Sequence, residues 1–380
     1  MNRRTFLTAA TAAAIAPRVK AAPTAPVAVS RHKAYDGGLT AVLDRMFDQL
    51  GGLGRLVNGK TVAIKINLTG APSYRLGHSP AELAHWTHYA VIGATIHLMD
   101  RAGARRVRLL ESPWNTAEPL EAYMFEGGWR PSDLLGAGRL VETENTNWLG
   151  GAKKYSHFTV PTGGYIYPAY DLNHSYEDCD VFVSIAKLKE HATAGITLSM
   201  KNCFGITPCT IYGEGDHLDG PLPLPRGGRG MFHSGGRRPP KGVAQEKDAT
   251  LPRQAGYRVP RIVADLVTAR PIHLAILDGI ESMAGGEGPW IRGVRRNSPG
   301  VLVAGTNCVT TDAVGAAIMG FDPMADRGTM PFEICDSTLR LAEDNGAGTR
   351  DLRQIEVLGT PIAEARYAFR KPGERPGYLR

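Results

Sequence analysis

The sequence predicts one mixed, mainly parallel α/β sheet with helices on both faces and a loop-rich cap. Three observations carry that expectation. Short apolar runs of strand length alternate with stretches whose apolar residues recur at helical spacing, the pattern of βαβ units. Several apolar runs end in charged residues, as strands do at the ligand-binding rim of an open α/β sheet. Between residues 206 and 258 neither period persists and Gly, Pro and Arg dominate, so a long connection is expected there.

In chain order, residues 22–35 are rich in Pro and Ala and read as an extended surface arm. Val42, Leu43, Met46, Phe47 and Leu50 give an amphipathic helix over 39–50, stopped by Gly51 and Gly52. Val62 to Asn67 reads as a strand, and Lys65 within it faces a cleft or a half-exposed surface. Ser79 as cap, Pro80 at the first position and Glu82 three residues after the cap predict a helix from about 80 to 102, followed by a strand over 105–110 that ends at Glu111. His78 lies on the loop entering that helix, and His85 and His88 on it lack a carboxylate or cysteine at metal-ligand spacing. Residues 120–135 predict helix broken at Gly127-Gly128, and 136–178 a two-stranded excursion against the main sheet. Further expectations are a strand over 181–185, a helix over 260–269, strands over 273–280 and 301–305, a helix after Asp312 ending near Gly320, another over 333–341 and a late strand over 354–358.

The chain of 380 residues is long enough for one elaborated α/β domain. Its opening, Asn2-Arg3-Arg4-Thr5-Phe6-Leu7 followed by the Ala-rich run 9–16, reads as a twin-arginine export signal. That reading assigns 1–28 to signal and leader and 29–380 to the domain. It predicts a periplasmic or extracellular protein whose first partner is the twin-arginine export machinery, with no stable membrane span. Of the net charge of +7, Arg3, Arg4, Arg18 and Lys20 supply four, leaving +3 for the rest, which does not point to nucleic acid. Five cysteines are too few and too scattered for a disulfide scaffold, although Cys203 and Cys209 could pair if their loop folds back.

The densest chemistry lies in Asp180–Gly205, where an apolar strand runs into Lys187, Lys189, His191, Thr197, Lys201 and Asn202. Three lysines and a histidine crowded within fifteen residues need an anion, carboxylates or solvent to offset them. A second cluster, Asp278, Glu281 and Glu287 in a glycine-rich loop, together with Asp312, offers hard oxygen ligands for a divalent cation or an acid/base pair. No GxGxxG or GxxxxGK[ST] loop, GxSxG elbow or HExxH helix is present, which lowers dinucleotide, P-loop, esterase and standard metalloprotease readings.

The pattern K-L-K-E-H-x-x-x-G-x-T-x-x-x-K-N from Lys187 to Asn202 resembles the signature of the domain-of-unknown-function 362 family. D-G-I-E-x-M-x-G-G-E-G-P from Asp278 to Pro289 looks like a second signature of that family, and V-x-I-K-x-N from Val62 looks like its early strand. The resemblance implies that Lys65, His78 and Glu111 belong to the site, but it implies no settled reaction. Many relatives carry a ferredoxin-like cysteine segment; without a CxxCxxC run here, an iron-sulfur cluster of that kind is not expected. Asn307 and Cys308 depart from the family's Asp-Pro, whereas Asp312 and Ala313 match.

These readings combine into an exported enzyme for a small anionic substrate. His191, Lys187 and Lys201 would be catalytic, Lys65, His78, Lys189, Thr197, Asn202 and Glu111 would bind substrate, and Asp278, Glu281 and Asp312 would hold any metal. A non-catalytic periplasmic anion- or cofactor-binding protein and an interaction protein using the arginine-rich loop are the alternatives. The long 206–258 connection reads as a lid, a surface excursion or a partner-binding arm.

Overall fold

The computed structural model describes residues 22–215 and 219–379. The twin-arginine reading falls on positions before residue 22 and lies outside the described residues.

Eight strands form the central sheet: β1 (Val27–Arg31), β2 (Thr61–Lys65), β3 (Arg106–Glu111), β4 (Val141–Asn145), β5 (Val181–Lys187), β6 (Leu274–Gly279), β7 (Val301–Gly305) and β8 (Val357–Gly359). Their spatial order is β8-β1-β7-β6-β5-β2-β3-β4. The run from β4 to β6 is parallel throughout, and only β7 is antiparallel to its neighbours. The predicted α/β class and largely parallel sheet are what the structure contains.

The parallel strands are buried on both faces, which is why Val181–Ala186 is apolar apart from Ser184 rather than alternating. On one face Val62, Ile64, Val183 and Ile276 meet the helices Leu39–Gln49 and Tyr89–Arg101. On the other, Ala63, Phe182, Ala186 and Leu277 meet Ala255–Ala269 and Cys308–Ile318. Among the described residues no helix is long and apolar enough to cross a membrane.

Three local expectations need correction. The surface arm at 22–35 contains β1, an interior strand whose Val27, Ala28 and Val29 are buried between β7 and β8. The sheet therefore begins inside the stretch assigned to the leader. The helix expected from residue 80 starts only at Tyr89, where His88 Nδ1 accepts the Ala90 N–H; before it lie a short 3-10 turn, Ala81–Leu83, and irregular chain. That stretch stays irregular because its carbonyls serve lysines: Glu82 O accepts from Lys187 and His85 O from Lys189. A helix would occupy those acceptors with its own N–H groups. The 136–178 excursion is divided, with β4 joining the edge of the main sheet and Ser156–Thr159 pairing with Ala169–Leu172 outside it.

The chain runs outward from β2 to β3 and β4, then returns to lay β5 on the other side of β2. Between β2 and β5 the connections diverge, and the carboxyl ends of the strands open a crevice there. The cavity described below opens at that crevice.

Candidate functional site

Asn202 marks the floor of the crevice. Its side-chain amide donates to Lys65 O, Ile185 O and Ser184 Oγ, bridging the ends of β2 and β5, and its Oδ1 accepts from Lys65 Nζ at 3.2 Å. Above it lies a cavity of about 380 Å³ lined by Lys65, Glu111, Lys189, His191, Thr197 and Lys201 as well as Asn202 itself. Seven residues selected from sequence thus converge on one cavity.

The other five do not line it. Lys187 and Asp278 are register partners on adjacent strands and form a fully buried ion pair at 2.7 Å. Asp278 also accepts from Tyr35 Oη and the His88 N–H, and Lys187 donates to Tyr35 Oη and Glu82 O. The pair is a closed network beside the sheet rim. Glu281 is bound by Arg296 and Ser298. Asp312 accepts from Ser199 N, Ser199 Oγ and Met200 N at the start of the Leu198–Asn202 helix. His78 is exposed on its loop. The three carboxylates assigned to a metal therefore have three separate sets of partners, and among the described residues no group of three or more His, Cys, Asp or Glu is arranged to hold an ion. All five cysteines are free, including Cys203 and Cys209.

Lys65 and Lys187 part company through strand parity. Successive side chains of a strand point to opposite faces. Lys65 follows Ala63 onto the Phe182 face, whereas Lys187 follows Val183 and Ile185 onto the Ile64 face.

Each cavity lysine has a different environment. Lys65 Nζ meets Glu111 Oε1 at 2.6 Å in a pair only 1% and 5% exposed, while the Leu68 N–H and Ser112 N–H hold the carboxylate from behind. Gly205 is required beside them: a Cβ there would come within 2.9 Å of Lys65 Nζ and 3.1 Å of Glu111 Oε1. Lys189 donates to His85 O and Glu287 O, and burial holds its ammonium well below the ordinary lysine range. Lys201 sits 4.1 Å over the Phe204 ring and has no carboxylate within ion-pair distance among the described residues. Burial, opposed by the more distant Glu287 and reinforced by Arg229 and Lys65, brings its pKa down to about 7.

Three further contributors stand outside the site residues expected from sequence, although Glu287 is named there in the acidic glycine-rich loop. Arg229 and His233 come from the 206–258 connection, and Glu287 from the loop after β6. Arg229, itself in left-handed backbone at φ +65°, is anchored to Thr207 O, Ser112 O and Gly205 O. Glu287 accepts the Ala192 N–H and thereby fixes the chain around His191. Nothing periodic in the Gly/Pro-rich segment pointed to His233; Glu287 was visible as part of the glycine-rich acidic loop.

The two histidines are set in opposite tautomers. Nδ1 of His191 accepts the Thr193 N–H at 3.1 Å, so the neutral ring carries its proton on Nε2. Nδ1 of His233 lies 3.0 Å from Arg229 O, which can only accept, so that ring keeps its proton on Nδ1 and a lone pair on Nε2. Burial and the neighbouring Lys201 lower both pKa values, keeping the rings neutral. One wall therefore presents a ring N–H donor and a ring nitrogen acceptor beside a cation that exchanges its proton near neutrality. Four basic side chains, Lys65, Lys189, Lys201 and Arg229, face two carboxylates, Glu111 and Glu287, a lining suited to an anion.

No curated protein sequence matches the chain significantly. A model of the family described as domain of unknown function (DUF362) matches residues 62–317, which span β2 to the helix after β7 and include every cavity residue named above. The chain belongs to the DUF362 family.

Proposed function

We propose that the protein is an enzyme that binds a small anionic substrate in this cavity and acts on it by proton transfer. The carrying observation is the pair of neutral histidines with opposite tautomers next to Lys201. His233 Nε2 takes a proton from the substrate, His191 Nε2–H donates to the group on which charge develops, and Lys201 holds the acid group. Lys65 and Lys189 are already engaged, by Glu111 and by two carbonyls, and these contacts fix the floor of the cavity. The twin-arginine pattern at Asn2–Leu7 supports placing this activity in the periplasm or outside the cell.

The test begins with native mass spectrometry of the full chain to identify a bound anion, followed by assay of that anion for turnover. His233→Gln is expected to keep the dissociation constant within about threefold and to lower kcat by about a hundredfold or more, the usual contribution of a general base. Tight binding with no turnover under any condition would favour the non-catalytic binding protein. Association of the full chain with a protein partner, with no anion bound and no turnover, would favour the interaction reading.

A further inference from the structure

The cavity wall is chemically divided. Lys65, Lys189 and His191 are buried, whereas Tyr74 and Trp290 reach solvent at 37% and 42% exposure and Trp114 is half-buried. Charge lies deep and aromatic surface lies at the mouth. Tyr74 touches both indoles, at 6.2 Å and 35° from Trp114 and 5.6 Å and 51° from Trp290. These contacts are tilted rather than stacked, so the rings do not cover one another's faces.

The indoles are held in place. Trp290 Nε1 donates to Glu287 Oε1 at 3.3 Å, tying the ring to the carboxylate that fixes the His191 segment. A Cβ on Gly288 would lie 2.1 Å from the Trp290 ring, and one on Gly228 would lie 2.9 Å from the Trp114 ring. Neither glycine has left-handed backbone, so the indole rather than the local chain conformation excludes a side chain at each position. Gly228 thus makes room for the Trp114 ring, while Gly288 and Gly70 both pack against the Trp290 ring, from which a Cβ on Gly70 would lie 2.3 Å, and the two rings remain partly wet at the entrance.

We infer that the anion taken by this cavity carries a planar conjugated ring, stacked on the Trp114 and Trp290 indoles while its acid group reaches Lys201. This inference rests on the anion-binding reading above and narrows it to aromatic acids. A volume of about 380 Å³ accommodates one or two fused rings with a carboxylate.

Calorimetric titration of the full chain with 1-naphthoate and with malonate separates the two readings. Naphthoate is expected to bind at least about tenfold more tightly than malonate. Trp114→Leu is expected to weaken naphthoate by about two- to tenfold and leave malonate unchanged, and Trp290→Leu, which also frees Glu287 from its indole donor, to weaken naphthoate more than malonate. Trp290→Phe, which retains a ring, is expected to recover most of the loss, and thermal melting of each variant shows whether the fold is intact. Equal affinity for both probes, or tryptophan variants that weaken both alike, would overturn the aromatic assignment and leave the anion site standing. Failure of both probes to bind would overturn this inference, and Lys201→Met indistinguishable from the native chain for the anion found by mass spectrometry would overturn the anion site itself.

Discussion

Lys187 and Lys189 are two positions apart, yet their ammonium groups have unrelated tasks. Lys189 lines the cavity, while Lys187 is spent on Asp278 within a fully buried pair. Removing one partner of such a pair strands a charge away from water, which is costlier than the pair itself is stabilising. Lys187→Met is therefore expected to lower stability by about 3–5 kcal/mol in urea unfolding, with a smaller loss when Asp278→Leu is combined with it. Malonate affinity of the folded single variant is expected to stay native. A variant of native stability that no longer binds malonate would return Lys187 to the site. The basic and acidic residue types were legible in the sequence at this scale, but their partners were not. The pleat decides which side of the sheet Lys65 and Lys187 take and register decides which carboxylate each meets, whereas Lys189 lies beyond the end of β5 and donates to two carbonyls.

The short Leu198–Asn202 helix is the element on which the cavity depends, because it carries Lys201 and Asn202. Its first residue, Leu198, has left-handed backbone at φ +42°, a conformation that costs about 1–2 kcal/mol for a residue with a Cβ. Asp312, from the next layer of helices, accepts the Ser199 and Met200 N–H groups and compensates that strained start. Asp312→Ala is expected to lose about 2–3 kcal/mol and to weaken anion binding as the helix shifts, whereas Asp312→Asn retains part of the cap and loses less. Urea unfolding and calorimetry check both effects; unchanged stability in the alanine variant would contradict the capping role. Elements with strong internal signals were read correctly from sequence: β2, β3, β5, β6 and β7 all lie where apolar runs place them. β1 was missed because Pro23 and Pro26 dominate its neighbourhood and only a short Val-Ala-Val run announces it. The early start of the helix before Tyr89 was wrong because two distant lysines claim the carbonyls that the helix would have used.

Across the whole molecule, two halves of the chain meet at the switch between β2 and β5, and the 206–258 connection closes one side with Gly228, Arg229 and His233. Arg229 joins that connection to Ser112, Gly205 and Thr207. Arg229→Ala is expected to speed proteolytic cleavage of the 219–250 stretch by about tenfold while the sheet resists, since the unpaired carbonyls lose roughly 1–3 kcal/mol of local stabilisation. Cleavage at the native rate would mean that other contacts hold this wall in place. The rim of the sheet could be found from sequence because strands end in charge there, but this wall could not, because the side chains it supplies come from a segment without period.

The central claim, that this cavity takes an anion through Lys201, is tested most directly by calorimetric titration with malonate from about pH 6 to about pH 9. Lys201 titrates near pH 7, and Lys65, Lys189, Arg229, Glu111, Glu287, His191 and His233 are the charged or titratable groups around it, with burial lowering the pKa values of Lys65 and Lys189 as well. Burial lowers both histidine pKa values, His191 the further of the two. Below about pH 7 Lys201 carries its proton and attracts the anion; above it the charge is lost, so affinity is expected to fall by up to about tenfold per pH unit in the native chain. Lys201→Met is expected to bind weakly and to lose the fall in affinity centred near pH 7. Native affinity that is constant across the range, or a Lys201→Met variant that retains the native profile, would contradict it.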